Sequence, residues 1–265
     1  MPGKIRIGVG GWTFDPWKGA FYPEGLPTRR ELEFMASRMT AVEVNGTYYR
    51  TQKPDTFAKW HDETPEDFSF ALKAPRYATN RRVLAEAGDS VDRFVKSGIT
   101  RLGAKLGPIN WQFLPTKAFD PGDFAAFLDL LPAVQDGIPL SHAVEVRHPS
   151  FVVPEFVDLC RARGVAIVCA GDSDYPQIAD ATAPFVYARI MGTRADEPKG
   201  YSPRVLEQWA DRARTWTTGQ GDDGLHRVGP ADHHRRDVFL FVISGAKERN
   251  PLAARALIER LERDA

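Results

Sequence analysis

The sequence predicts an α/β fold, a single (β/α)8 TIM barrel spanning residues 1–265, and three observations lead there. Runs rich in Val, Ile and aromatics alternate with amphipathic helical runs along the whole chain. Eight such units can be counted, and a helical run follows the last strand, as a closed parallel barrel requires. The length of 265 residues fits one such barrel, which commonly runs to about 250 residues. A doubly wound open sheet is the alternative, and the absence of a GxGxxG phrase after the first strand counts against it.

Taken in order, the strands are expected at 5–12 (IRIGVGGW), 41–49 (AVEVNGTYY), 69–75 (SFALKAP), 105–114 (KLGPINWQFL), 141–149 (SHAVEVRHP), 165–171 (VAIVCAG), 185–192 (FVYARIMG) and 237–245 (DVFLFVISG). Helices are expected to begin near Thr28, Pro54, Ala85, Pro121, Pro154, Ser202 and Pro251, mostly at a proline or a capping side chain. Asn250 is placed as a cap with Pro251 at the first helical position. The connection DSDYPQIADATAP is too short for a regular helix. Residues 219–236, GQGDDGLHRVGPADHHRR, have no periodicity and are expected to form a mobile loop before the last strand, with His233 and His234 solvated rather than ligating metal.

Lys plus Arg equals Asp plus Glu, 35 each, so no global field attracts nucleic acid or an anionic membrane. The two cysteines, Cys160 and Cys169, have no partner at metal-ligand spacing and are expected to be buried thiols. The chain enters its first strand almost at once, and no segment approaches ~18 continuous apolar residues. A cytoplasmic location without a membrane partner is the expectation. No oligomeric state is assigned.

Strand parity locates the chemistry. In AVEVNGTYY one face carries Ala41, Glu43, Asn45 and Thr47 and the other Val42 and Val44; in SHAVEVRHP Ala143, Glu145 and Arg147 oppose Val144 and Val146. Lys73, Asn110, Gln112, Tyr187, Arg189 and Met191 join the inward set from strands three, four and seven. Buried charges need partners, so these groups either close a salt-bridge network that fills the barrel or meet a ligand. Their position late in the strands, at the mouth where barrels bind ligands, favours the ligand. Glu43, Glu145 and Lys73 are the candidate catalytic residues. Asn45, Arg76, Gln112, Arg147, His148, Arg189 and Trp12 are the candidate substrate-binding residues.

Three loops add to the mouth. WTFDPWKGAFYPEGLP brings Trp12, Phe14, Trp17, Phe21 and Tyr22, which either stack on a ring or plug the barrel top. RYATNRR sets Arg76, Arg81 and Arg82 beside Lys73, either as a solvated basic surface, the usual state of such loops, or as an anion site. In SGAKERN, Ser244, Gly245 and Lys247 suit phosphate.

The phrases GWTFDPWKGAFYPEGLP, AVEVNGTYYR, FALKAPRYAT, LGPINWQF, VEVRHPSF and FVYARIMG, in this order, resemble the YecE-like family of domains of unknown function. The resemblance covers nearly the whole chain and implies a TIM barrel; it implies no activity. The family's Glu-x-Asn pattern falls on Glu43 and Asn45, its Lys-Ala-Pro on Lys73 to Pro75, its Gln after the fourth strand on Gln112, its Glu-x-Arg-His on Glu145, Arg147 and His148, and its strand-seven Arg on Arg189. The chain departs from it at Met191, where many relatives carry His, and at FVISGAKERN, where many carry a Tyr-Phe-Asn-Asn phrase.

The expected function is an enzyme acting on a small polar or anionic substrate, sugar- or phosphate-like. Lys73, Arg147 and Arg189 would hold the anion while Glu43 or Glu145 moves a proton. Glycoside hydrolysis would need the two carboxyl groups ~5 to 9.5 Å apart. No cofactor is expected. One alternative is divalent-metal chemistry on Glu43, Glu145, His148 and Asp172; another is a non-catalytic nucleotide or nucleic-acid binder built on the aromatic loop and the Arg76 to Arg82 segment.

Overall fold

The computed structural model describes residues 3–220 and 223–263. Among these, eight parallel strands close into a barrel: β1 Ile5–Gly10, β2 Ala41–Val44, β3 Ser69–Lys73, β4 Leu106–Gln112, β5 His142–Glu145, β6 Ala166–Gly171, β7 Phe185–Ile190 and β8 Asp237–Val242. Each pairs with its sequence neighbours, and β1 pairs with β8 to seal the sheet. The main helices are α1 Glu31–Ala36, α2 Pro54–Asp62, α3 Gly88–Val95, α4 Pro121–Asp129, α5 Pro154–Ala162, α6 Pro203–Thr218 and α7 Asn250–Arg263. None is long and apolar enough to cross a membrane.

Helix starts follow ordinary end chemistry. Proline opens α2, α4, α5 and α6, where its missing N–H costs nothing. Asp120 accepts the N–H of Asp123 and Ser202 that of Val205, satisfying first-turn donors of α4 and α6. The helices expected near Thr28 and Ala85 begin as 3-10 turns, Thr28–Arg30 and Leu84–Ala87, before α1 and α3. Asn250 is not a cap: it is the first residue of α7, and its side-chain oxygen accepts the Thr193 hydroxyl at 2.8 Å. A hairpin at Val134–Gln135 and Ile138–Pro139 was not foreseen. Its turn is Asp136-Gly137, both at positive φ, the dipeptide that a two-residue turn favours.

Most strands stop short of their expected ends because the chain turns at the rim. Gly11 and Ser244, at φ 73° and 63°, end the extended runs of β1 and β8. In β2 the expected strand to residue 49 breaks after Val44. Asn45 takes helical angles and Gly46–Tyr49 forms one helical turn, so Thr47 does not share the inward face of Glu43; its hydroxyl bonds the carbonyls of Val44 and Lys73.

Alternation along the strands produces two apolar regions. Outward residues such as Ile7, Val9, Val42, Val44, Leu72 and Val144 pack on the helices in one large cluster. The barrel interior holds a separate, smaller one. There Ala41, Ala71, Ala143 and Ala166 face Phe185, Tyr187, Phe239 and Phe241, so small side chains on β2, β3, β5 and β6 make room for large ones on β7 and β8. On β1 the inward positions above Arg6 are Gly8 and Gly10; a Cβ on Gly8 would lie 1.9 Å from the Ala41 carbonyl oxygen.

Between β6 and β7 there is no helix, as expected from the short connection. The outer face there is covered from the far end of the chain. Asp180, in that connection, accepts the N–H groups of Val228 and Gly229 at 2.8 and 2.7 Å, and Ala179 donates to the carbonyl of His226. The 219–236 segment has no helix or strand among its described residues, and it is held by these bonds and by Trp216 Nε1 on Asp223, 2.7 Å.

Candidate functional site

The strands deliver a charged layer above the apolar interior, at their carboxyl ends. Glu43 is fully buried; it accepts the Tyr187 hydroxyl at 2.6 Å and Arg189 Nη2 at 3.1 Å, while Arg189 Nε lies 3.0 Å away without the angle of a hydrogen bond. Glu145, equally buried, accepts Arg189 Nη1 at 2.6 Å and Asn110 Nδ2 at 3.2 Å on one oxygen. Its other oxygen takes Arg147 through Nε and Nη2, at 2.9 and 2.7 Å. Arg147 continues to Gln112 Oε1, 2.9 Å, and to the hydroxyl of Tyr175, whose ring lies 4.1 Å beneath the guanidinium. One guanidinium thus fills the space between the two carboxylates. They do not flank an open cleft as a glycosidase pair does.

Lys73 sits in the same layer but outside this network. It is 9% exposed, and among the described residues no hydrogen bond or ion pair holds its ammonium; its Nζ stands 4.3 Å over the face of Tyr48. The contrast with Lys105 is direct. That lysine, 5% exposed, gives its Nζ to the carbonyls of His61 and Thr64. Two carboxylates balance two guanidiniums, which leaves Lys73 as surplus positive charge.

Titration follows from this arrangement. Burial penalises the Lys73 ammonium first, Arg189 repels it next, and Arg147 adds to this; Glu43 and Glu145 only partly offset them, so its pKa falls from 10.5 to about 8. Burial alone would raise Glu145, but Arg189, Arg147 and Lys73 outweigh it and hold the carboxyl down at about 2. Burial works against the charge of Arg189 as well, and the two carboxylates keep it firmly protonated. Burial and the neighbouring Glu43 carboxylate push the Tyr187 phenol well above its usual range.

Above this layer opens a cavity of about 690 Å³. Its wall includes Lys73, Gln112, Arg147 and Arg189 from the strands, Asn45, Tyr48 and Tyr49 after β2, Trp12 and Trp60 from the side, and Ser244, Lys247 and Asn250 after β8. Lys247 caps the Phe14 ring at 4.2 Å, and burial lowers its pKa. Neither Glu43 nor Glu145 reaches the wall. Both lie beneath it as supports for the arginines.

The structure therefore brings together Glu43, Lys73, Gln112, Glu145, Arg147 and Arg189, with Asn45 and Trp12 at the rim. Arg76 and His148 are not part of the cavity. Arg76 is exposed and lies 5.8 Å from the Tyr49 ring, and Arg81 bonds the Tyr77 carbonyl and Ser90 instead of facing Lys73. His148 accepts the Ser150 N–H and so caps the 3-10 turn Pro149–Phe151. The aromatic loop is mostly a plug: Trp17, Phe21 and Tyr22 are buried in mutual edge-on and tilted ring contacts, and Trp12 stands edge-on to Trp60. Glu43, Glu145, His148 and Asp172 do not gather as ligands. Among the described residues no three His, Cys, Asp or Glu side chains are grouped to hold a metal. Tyr48, Trp60 and Tyr175 escaped the sequence reading. Tyr48 follows the unrecognised break at Asn45, and Tyr175 lies in a connection with no periodicity to orient it.

The chain is similar to proteins known by sequence and to others of solved structure. Over 150 residues the chain is 31% identical to the UPF0759 protein YecE of Escherichia coli (strain K12), a match taking in 56% of this chain and 50% of that one. It is 30% identical over 193 residues to the UPF0759 protein YunF of Bacillus subtilis (strain 168), 69% of this chain and 64% of the other. The chain thus spans about half the length of the first of these relatives. Among solved structures, a DUF72 family protein of Thermotoga maritima superimposes with a TM-score of 0.73 at 20% identity, covering 98% of this chain and 99% of that one. One from Enterococcus faecalis gives 0.71 at 16% identity, covering 97% and 95%. At such identities the likeness shows the fold. The family model for the protein of unknown function DUF72 matches residues 6–265, nearly the whole length, and the chain therefore belongs to the DUF72 family.

Proposed function

We propose that this protein is an enzyme acting on a small anionic substrate at the carboxyl mouth of its barrel. One observation carries the proposal: among the described residues the cavity wall has four cationic side chains, Lys73, Arg147, Arg189 and Lys247, and no carboxylate. In a partly enclosed space of low dielectric such a wall attracts negative charge. A volume of about 690 Å³ suits a metabolite-sized ligand, within the ~300–1,000 Å³ usual for small-molecule sites. Glu43 and Glu145 serve as fixed counter-charges that set the arginines. The group suited to exchange protons is Lys73, whose amine is neutral in a useful fraction of molecules near neutral pH. Proton transfer by Glu145 is disfavoured, since a carboxyl held at about 2 is ionised throughout the working range.

Calorimetric titration of inorganic phosphate into the full chain tests the anion site. Wild type is expected to bind, and Lys247→Met and Arg147→Ala to weaken binding by about tenfold each, or ~1.4 kcal/mol. Equal affinity in all three proteins, or no binding to wild type, refutes it.

A further inference from the structure

We infer that Lys73 is a covalent catalyst, forming an imine with the carbonyl carbon of a substrate that also bears a carboxylate or phosphate group. This deepens the anion-site reading and rests on it. Three features of the pocket point to an amine nucleophile rather than to a lysine kept for its charge.

The first is the division of labour among the cations. The two carboxylates of the layer are satisfied by Arg147 and Arg189, whose guanidinium groups are not amine nucleophiles. Of the three cations in this layer Lys73 is the one that can become a neutral amine; among the described residues it has no hydrogen-bond acceptor, and it faces the cavity. A structural ammonium in this fold looks different, as Lys105 on its two carbonyls shows.

The second is the surface under Nζ. The Tyr48 ring, 4.3 Å away, offers a π face to positive charge and no lone pair aimed at the nitrogen. An iminium has fewer N–H bonds than an ammonium but the same charge. A ring face suits both species, whereas a carboxylate partner would hold the ammonium and oppose deprotonation. With its pKa at about 8, about a fifth of Lys73 is neutral at pH 7.4, against roughly one in a thousand for a lysine at 10.5.

The third is the rest of the wall. Trp12, Tyr48 and Trp60 give the wall apolar ring surface beside the amine for the carbon skeleton of a carbonyl compound, while Lys247 and Arg147 supply anchors for an anionic tail.

The step balances without a further reagent. The nitrogen lone pair forms the C–N bond as the carbonyl π pair moves to oxygen. A proton passes from nitrogen to that oxygen, and a second proton, equivalent to the one the ammonium released, lets it leave as water while the C=N bond forms. Overall an ammonium and a carbonyl give an iminium and one water.

Reductive trapping tests this. The full chain is incubated near pH 8 with glyoxylate in one arm and glycolaldehyde phosphate in another, with cyanoborohydride present, and adducts are mapped by peptide mass spectrometry. The expected result is one adduct per chain on Lys73, formed more than about tenfold faster than on any other lysine, suppressed by inorganic phosphate and absent from Lys73→Arg. The arm that labels faster tells a carboxylate-bearing substrate from a phosphate-bearing one. Labelling spread over the lysines without preference, in a protein that still binds phosphate, overturns the imine and leaves the anion site standing. Absence of both selective labelling and phosphate binding overturns the anion site and the imine with it. Mapping on wild type decides the matter even if Lys73→Arg does not fold.

Discussion

Replacing Arg189 by Met removes the guanidinium that Glu43 and Glu145 share while keeping much of its volume. Both carboxylates are fully buried and Arg189 is 2% exposed, so the variant leaves two carboxyl groups facing each other with little water to replace the lost charge. Breaking a buried ion pair from one side costs about 3–5 kcal/mol. At about 2–4 °C per kcal/mol for a chain of this size, the melting temperature at pH 7 should fall by roughly 6–20 °C. The pH dependence discriminates further. Glu145 is depressed from 4.5 to about 2 in the folded wild type, so its contribution is present above pH 4.5 and is lost as pH falls through 2. That shift is worth on the order of 3 kcal/mol. In Arg189→Met, Glu145 loses this partner, its folded pKa rises, and its protonation on acidification relieves the strain between the two carboxyl groups. The gap between the two proteins should therefore narrow from pH 7 to pH 4, as followed by thermal unfolding with circular dichroism. A gap of under about 2 °C at pH 7, or one that widens on acidification, would show that the buried charges are not coupled as described.

Other parts of the molecule give further expectations. Asp180→Ala removes the acceptor of the Val228 and Gly229 N–H groups and should cost about 2–4 kcal/mol, with faster proteolytic cleavage inside 219–236 than in wild type. Gly10→Ala places a Cβ 2.7 Å from Asn45 Nδ2 and 2.9 Å from Ile243 Cδ1 at the cavity edge. Overpacking there should cost about 1–3 kcal/mol in urea unfolding and weaken phosphate binding. Cys160 and Cys169 are buried, with both thiols pushed up by burial, Cys169 to about 12. Neither should react with a disulfide reagent such as Ellman's at pH 8 until denaturant is added.

Much of this was legible because a strand has only two faces. Once Val42 and Val44 or Val144 and Val146 are given to the helices, Glu43, Glu145 and Arg147 must turn inward, and Lys73, Gln112 and Arg189 follow by the same rule. Parity does not say who pairs with whom. That the carboxylates would be used up beneath the cavity and Lys73 left over depends on side-chain reach across the barrel, from Arg189 on β7 to Glu43 on β2. Parity also fails where the strand ends. The Asn45-Gly46 pair was a turn signal inside an otherwise alternating run, and missing it misplaced Thr47 and hid Tyr48. His148 and Arg76 lie just past strand ends, where the side chain is taken up by local turn bonding or by solvent.

The helix-free span between β6 and β7 bears on the order in which the molecule can assemble. Elsewhere a strand receives its shield from the helix that follows it within a few dozen residues. Here Asp180 waits for Val228 and Gly229, 48 and 49 positions later. During synthesis, with the chain emerging from its amino end, this sector remains a seam in the wall until almost the last strand has been made. Closure of the barrel by β8 and sealing of that seam are thus one late event, and the mouth acquires its fourth cation, Lys247, only when that event is complete.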